Sequence, residues 1–394
     1  MNLSDPSLRR RDLATLGAAV AVLPLAGLTP SPAAAAPARA GGRLRLTPDE
    51  GGLGGALDVA LTPDPQAAAQ VAARGAVLRT AEQRTDRFAL LGVTWAAGAG
   101  QVRVRVRRPG GGWSPWRTVP ALHDLPDRGT GESRRTRGGT EPLWVGDSDG
   151  VQVEVTGAVE RPVLTLVDPG NAPSDATDSD DRAVAVRPRR RSLRPRIRSR
   201  RSWGAKEKWA TGKPKRVRTV EQVHVHHTAT GNDYRKGDVP RILRGIYRYH
   251  TKTLGWSDVG YNYFVDRFGR IWAGRRGADG DRDTRGAHTL GFNHTSVGIA
   301  VLGSYQEVAP APKVLAGIAK IAAWKLKKYH RDPLVTTPVR SHGSDLYPKG
   351  TWAVLPVIDG HRDSNDTECP GQYLYDALPE IRLRTARRIK RSRR

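Results

Sequence analysis

The run His224-Val225-His226-His227-Thr228-Ala229-Thr230 continues an apolar segment that begins at Val223. Side chains alternate along an extended backbone, so His224 and His226 share one face and His227 takes the other. Two later runs carry the same kind of chemistry. Asp359-Gly360-His361-Arg362-Asp363 follows apolar Val357 and Ile358, and Thr367-Glu368-Cys369-Pro370-Gly371 places Cys369 eight residues after His361. Two imidazoles and one thiolate on strand ends and loops can form the three-ligand set of a catalytic zinc site, its fourth position left for water. The plainer alternative is a set of packing histidines, because separations of 135 and eight residues make no compact zinc-finger signature. Cys369 is the single cysteine, which excludes an intrachain disulfide, and metal binding as thiolate would give it a use.

Around these runs, strand and helix patterns alternate. Asp238 is placed to cap a helix with Pro240 in its first turn and Ile242, Leu243, Ile246, Tyr247 and His250 at helical spacing. Tyr261 to Val265 and Ser296 to Leu302 read as strands. Pro312 to Tyr329 reads as a helix with Leu315, Ile318, Ala322 and Leu326 along one side. The expected class is an α/β layer domain.

The region before it is β-rich. Val102 to Arg107 alternates strictly, Pro109 to Gly112 turns the chain, and Leu143-Trp144-Val145, Val151 to Val155 and Val163 to Val167 supply further short strands. A small antiparallel β-sandwich fits this spacing. No catalytic constellation is visible in it, and Trp113 and Trp116 read as core packing in preference to a sugar platform.

The 394 residues carry a formal net charge of +26. Nine of the fifteen residues from Arg187 to Arg201 are Arg, and eight of the fourteen from Ile381 to Arg394 are Arg or Lys. Setting those seventeen aside leaves +9 for the rest. Such blocks read as solvated arms, a linker and a tail, rather than packed faces. An anionic partner follows, but nucleic acid does not, since no aromatics interleave the Arg runs.

At the N-terminus, Arg9, Arg10 and Arg11 precede a mild apolar run from Ala14 to Leu28 and small residues at Ala33 to Ala36. That is the pattern of an export signal, twin-arginine-like, rather than a spanning helix. Elsewhere no apolar run reaches the roughly eighteen residues a membrane helix needs, so no transmembrane segment is expected in the mature form. The expected organisation is an export signal at 1–40, a β-rich accessory domain at 41–170, a charged flexible linker at 171–198, an α/β domain at 199–380 and a basic tail at 381–394.

From about Ile197 to Arg382 the chain resembles the peptidoglycan recognition protein and N-acetylmuramoyl-L-alanine amidase family, which includes a phage lysozyme. The matching runs occur in order: Ser199 to Ala205, His226-His227-Thr228-Ala229, Gly255 to Tyr263, Gly286-Ala287-His288-Thr289, Asn293 to Gly298, and Gly360-His361-Arg362-Asp363 through Thr367 to Gly371. The resemblance implies a mixed central β-sheet flanked by helices. It makes His226, His361 and Cys369 the ligands of Zn2+, leaving His224 and His227 outside that set. It gives Tyr261 a role beside the metal-activated water and Thr367 a role over the substrate carbonyl. Glu368 departs from the small residue usual there, with its side chain expected to face outward.

The activity so implied is zinc-dependent hydrolysis of the amide between N-acetylmuramic acid and L-alanine in peptidoglycan, by a protein exported to the cell wall. The alternative is a peptidoglycan-binding protein that does not cut; binding-only relatives commonly lack the Cys ligand, which is present here. The basic linker and tail would then meet anionic wall polymers rather than nucleic acid.

Overall fold

The computed structural model describes residues 42–50, 52–64, 76–172, 175 and 193–392. The expected export signal lies outside these residues, as does most of the expected linker.

The α/β domain is built on a five-stranded sheet. Gln222–His227 lies in it between Ser296–Val301 and Ile358–Gly360, and is parallel to both. Tyr263–Val265 continues the sheet in parallel, and Ile271–Ala273 closes that edge antiparallel. The sheet is therefore mixed, as the family resemblance implied. The apolar alternation decides which face meets which helix. Val223 and Val225, with Val297, Ile299 and Val301, pack against Val314, Ile318 and Ala322 of the helix Pro312–Lys328. Ala300, Leu302 and Phe264 turn to the other side, onto Ile242, Leu243 and Ile246 of the helix Val239–Arg248. Asp238 precedes that helix, but its carboxylate accepts from the backbone N of Arg235 at 2.8 Å instead of capping it.

Within the described residues, both basic blocks depart from solvated arms. Ile381, Thr385 and Ile389 are buried on one side of the helix Leu378–Arg391, which packs beside Pro312–Lys328. The expected tail is thus mostly an amphipathic helix, kept in place by the burial of Ile381, Thr385 and Ile389 at successive helical returns. In the first block Arg198 and Arg200 are buried, Arg198 over the Trp272 ring and Arg200 between Asp258 and Glu207 at 3.0 and 2.7 Å.

The front region is one antiparallel sheet of nine strands among the described residues, with Gln83–Trp95, Ala97–Arg107 and Leu143–Glu160 as its long members. Its own core joins Leu57, Phe88, Val93, Val104, Val153 and Leu166 from strands across the whole sheet, so the sheet curls over itself in a sandwich-like manner. Trp113 and Trp116 are not in that core. Both are half-buried, and Arg79, Arg103 and Arg105 stack their guanidinium groups 5.0 to 5.6 Å from the Trp116 ring.

The outer face of this sheet packs directly on the helix Val239–Arg248, where Ala89, Leu90 and Val167 join the cluster of Trp203, Ile246 and Tyr249. Two glycines permit the approach. A Cβ on Gly92 would lie 2.4 Å from the Tyr249 hydroxyl oxygen, and one on Gly245 would lie 2.9 Å from Leu90. The Tyr249 hydroxyl donates to the Thr140 carbonyl at 3.1 Å.

Candidate metal centre

His226 sits at the carboxyl end of Gln222–His227, and His361 immediately follows the neighbouring parallel strand Ile358–Gly360. Parallel strands deliver side chains to a common edge, which is where open α/β sheets place their sites. The loop after His361 returns Cys369 to the same point. Ligand atoms of His226, His361 and Cys369 all lie within 4.8 Å of one another, and the three residues are buried. Cys369 Sγ is 3.7 Å from His226 Nδ1. Two bonds of about 2.0–2.3 Å at a tetrahedral angle separate their donors by roughly 3.3–3.6 Å, so this spacing suits zinc.

The hydrogen bonding suits it too. Thr289 Oγ1 is 3.2 Å from His226 Nε2, a contact that suits the tautomer with its proton on Nε2 and its Nδ1 lone pair toward the centre. His361 Nδ1 and Nε2 are buried without any hydrogen-bond partner. A buried imidazole so orphaned is costly unless a cation takes its lone pair. Burial holds the pKa of both His226 and His361 well below the usual imidazole range, keeping them neutral as metal binding requires. Burial pushes the Cys369 thiol well up, and the Asp124 charge adds to this, so a thiolate here needs a positive partner.

The other residues of the expected site fall around this cluster. The Tyr261 ring centroid is 5.5 Å from that of His226. Thr367 is half-buried, with Oγ1 accepting from the Cys369 backbone N at 3.2 Å, and Glu368 is exposed, facing outward. His224 shares the face of His226 but pairs with Asp359 at 2.6 Å, both fully buried. Burial lifts Asp359 to about 6 despite that partner. His227 turns the other way, its Nδ1 accepting from Tyr305 N at 3.2 Å. His288 packs its ring 5.1 Å from His226, with Nδ1 2.8 Å from Thr289 Oγ1. His227, His361, Thr367 and Cys369 line a cleft of about 600 Å³.

One residue of this site is absent from the sequence reading. Asp124, from the front region, inserts its carboxylate between the histidines: Oδ1 is 2.9 Å from His226 Nδ1 and 3.4 Å from His361 Nδ1, while Oδ2 accepts from the Tyr261 hydroxyl at 2.5 Å. The β-rich region therefore does contribute to the constellation. No local pattern announces it; the only cue is an acid between Leu122 and Leu125 in a short apolar stretch.

A mixed sheet with two imidazoles and a thiol converging at its carboxyl edge defines an α/β domain with a candidate metal centre. Residues 216–372 match the model of the N-acetylmuramoyl-L-alanine amidase family, and residues 54–184 match a family described as Rv3811 N-terminal galactose-binding domain-like. The first of these matches covers under half of the chain, and it makes the α/β domain similar to the peptidoglycan recognition protein and amidase family. Peptidoglycan-recognition protein SC2 of Drosophila melanogaster is 28% identical over 180 residues, 46% of this chain and 83% of that protein. A human N-acetylmuramoyl-L-alanine amidase is 32% identical over 213 residues, 51% of this chain but 32% of the human protein. Among solved structures, Drosophila PGRP-LB is 25% identical, covering 46% of this chain and 90% of its own, with a TM-score of 0.36.

Proposed function

We propose that this protein is a zinc-dependent amidase that cleaves the bond between the lactyl group of N-acetylmuramic acid and L-alanine of the stem peptide. The observation that carries the reading is the convergence of His226, His361 and Cys369, three buried donors of the right type within 4.8 Å of one another, with His361 and Cys369 lining the cleft. Zinc, when bound there, supplies a Lewis acid and lowers the pKa of a water molecule from 15.7 to about 7. Burial and the Asp124 charge keep the Tyr261 phenol protonated far above neutral pH, so its O–H remains a donor for a developing oxyanion. Thr367 flanks the cleft beside Cys369, where its hydroxyl can orient the scissile carbonyl. Thr289, through His226 Nε2, fixes the ring that must present Nδ1.

The proposed setting is the bacterial cell wall, reached through the signal-like segment at 1–40, with anionic wall polymers meeting the basic surface. No helix among the described residues is long and apolar enough to cross a membrane. The test is release of stem peptides from purified peptidoglycan with and without chelator. Chelator-sensitive release with free N-terminal L-alanine is expected. Wall binding without release, in protein loaded with zinc, would favour the non-catalytic alternative.

A further inference from the structure

Between the strands Arg117–Val119 and Leu143–Glu160 the front region sends out a long connection that lies across the α/β domain as a strap. It is tied down along its length. Asp127 Oδ1 accepts from Gly291 N at 2.8 Å and Asn293 Nδ2 at 2.9 Å, and Arg285 pairs with the other oxygen. Glu132 accepts from Arg275 Nη2 at 2.7 Å and from Ser257 N at 2.9 Å. Its first half lines the cleft beside Cys369, and Asp127 to Arg135 line a second cleft of about 500 Å³ with Arg275, Arg276 and Arg285. The strap thus runs between two openings, and Asp124 is the residue it presses into the centre.

The position of that carboxylate is the informative part. Donors on a tetrahedral zinc of imidazole and carboxylate type stand roughly 3.3 Å apart, and Asp124 Oδ1 stands 2.9 and 3.4 Å from the two histidine nitrogens. Oδ1 accepts no hydrogen bond although Asp124 is almost fully buried, at 3% exposure. A buried carboxylate oxygen without a donor is costly, and a cation held between it and the two imidazoles would satisfy it. One thiolate and one carboxylate would also neutralise a divalent metal. Oδ2, meanwhile, holds the Tyr261 hydroxyl.

We propose that Asp124 is a fourth protein ligand of the metal and that the strap keeps the resting protein latent. With four protein ligands a zinc centre is closed, whereas a catalytic one keeps a position free. The same carboxylate engages Tyr261, so one side chain occupies both the open coordination position and the proposed oxyanion donor. Hydrolysis then requires the strap to lift from His226 and Tyr261 while the front region stays docked. The proposal rests on the metal-centre reading above.

The test uses the full chain, loaded with Co2+ or Zn2+, as wild type, Asp124→Ala and Glu132→Ala. Glu132→Ala loosens the strap while leaving the carboxylate present. Expected are a changed cobalt absorption spectrum and an affinity for zinc about tenfold or more weaker in Asp124→Ala, measured against a chromophoric chelator. Turnover of a soluble muropeptide is expected to rise at least tenfold in Asp124→Ala and more modestly in Glu132→Ala. An unchanged cobalt spectrum and zinc affinity in folded Asp124→Ala would overturn the ligand assignment. Lower turnover in both variants would overturn latency and make Asp124 part of the chemistry. If wild type and both variants bind neither metal, the amidase reading falls with the proposal. Metal bound by all three, with cleavage in none, would overturn both the latency and the amidase reading while leaving the coordination result standing.

Discussion

The Tyr261 hydroxyl donates to Asp124 at 2.5 Å across 137 residues of sequence, so a hydrogen bond at the candidate centre joins the β-rich region to the α/β domain. Tyr261 is buried, and its phenol has no role in solvation or in capping a helix. A donor held so near the histidines is placed to act on the reacting carbonyl. Tyr261→Phe should lower kcat by about a hundredfold, the usual cost of one oxyanion donor. Zinc content and wall binding should stay at wild-type levels. Unchanged turnover, measured on a soluble muropeptide, would remove Tyr261 from the chemistry.

Acid should destabilise the fold through its buried histidines. Burial and the nearby Arg275 draw His250 down to about 3, and burial draws His227 to about 4. Above the unfolded value of about 6.5 both states are neutral and indifferent to pH. Below it the unfolded chain takes up protons that the folded chain refuses, so stability falls by about 1.4 kcal/mol per pH unit for each histidine, from about 6.5 down to about 4 for His227 and about 3 for His250. His250→Gln, whose amide oxygen can still accept from Gly260 N in place of Nδ1, should flatten the urea-unfolding midpoint between pH 6 and 4. A slope as steep as that of the wild type would count against His250.

The contact between the two regions depends on space that glycine leaves. Gly92→Ala sets a methyl against the Tyr249 ring, which is fully buried and bonded to the Thr140 carbonyl. The expected loss is about 1–3 kcal/mol in chemical denaturation, the ordinary cost of overpacking a core. Gly112→Ala, where nothing lies within 4 Å of the added carbon, is the matched control and should change little.

Wall retention should follow the exposed charges of the C-terminal helix. Deleting residues 381–394 would remove Ile381 and Ile389 from the core, so it would report on folding as well as charge. Replacing exposed Arg387, Lys390 and Arg391 by Gln keeps the helix and removes three charges. Retention on cell walls at low salt should weaken, and the difference should fade as salt screens it. Turnover of a small soluble muropeptide should not change.

The sequence makes much of the α/β domain readable because its signals are local. Val223 to His226 alternates and is a strand; Pro312 to Tyr329 carries helical spacing and is a helix to Lys328. His226, His361 and Cys369 stand in short dense runs at strand ends, and they come together. The basic stretches mislead for a physical reason: charge density suggests a solvated arm, yet Ile381, Thr385 and Ile389 recur at helical spacing and win the contest by burial. Asp124 is illegible because its place is fixed by anchors far away in the chain, including Asn293 and Arg275, and no neighbour in sequence shares its function. Long-range docking leaves no periodicity to read.

The most direct measurement is metal content together with muramoyl-amidase activity for wild type and Cys369→Ala, both purified as the full chain. The predicted result is about one zinc per wild-type chain with chelator-sensitive cleavage, and in Cys369→Ala little zinc, no detectable cleavage and wall binding largely intact. Cys369→Ala that cleaves as fast as wild type, or wild type that cleaves without metal, would contradict the account.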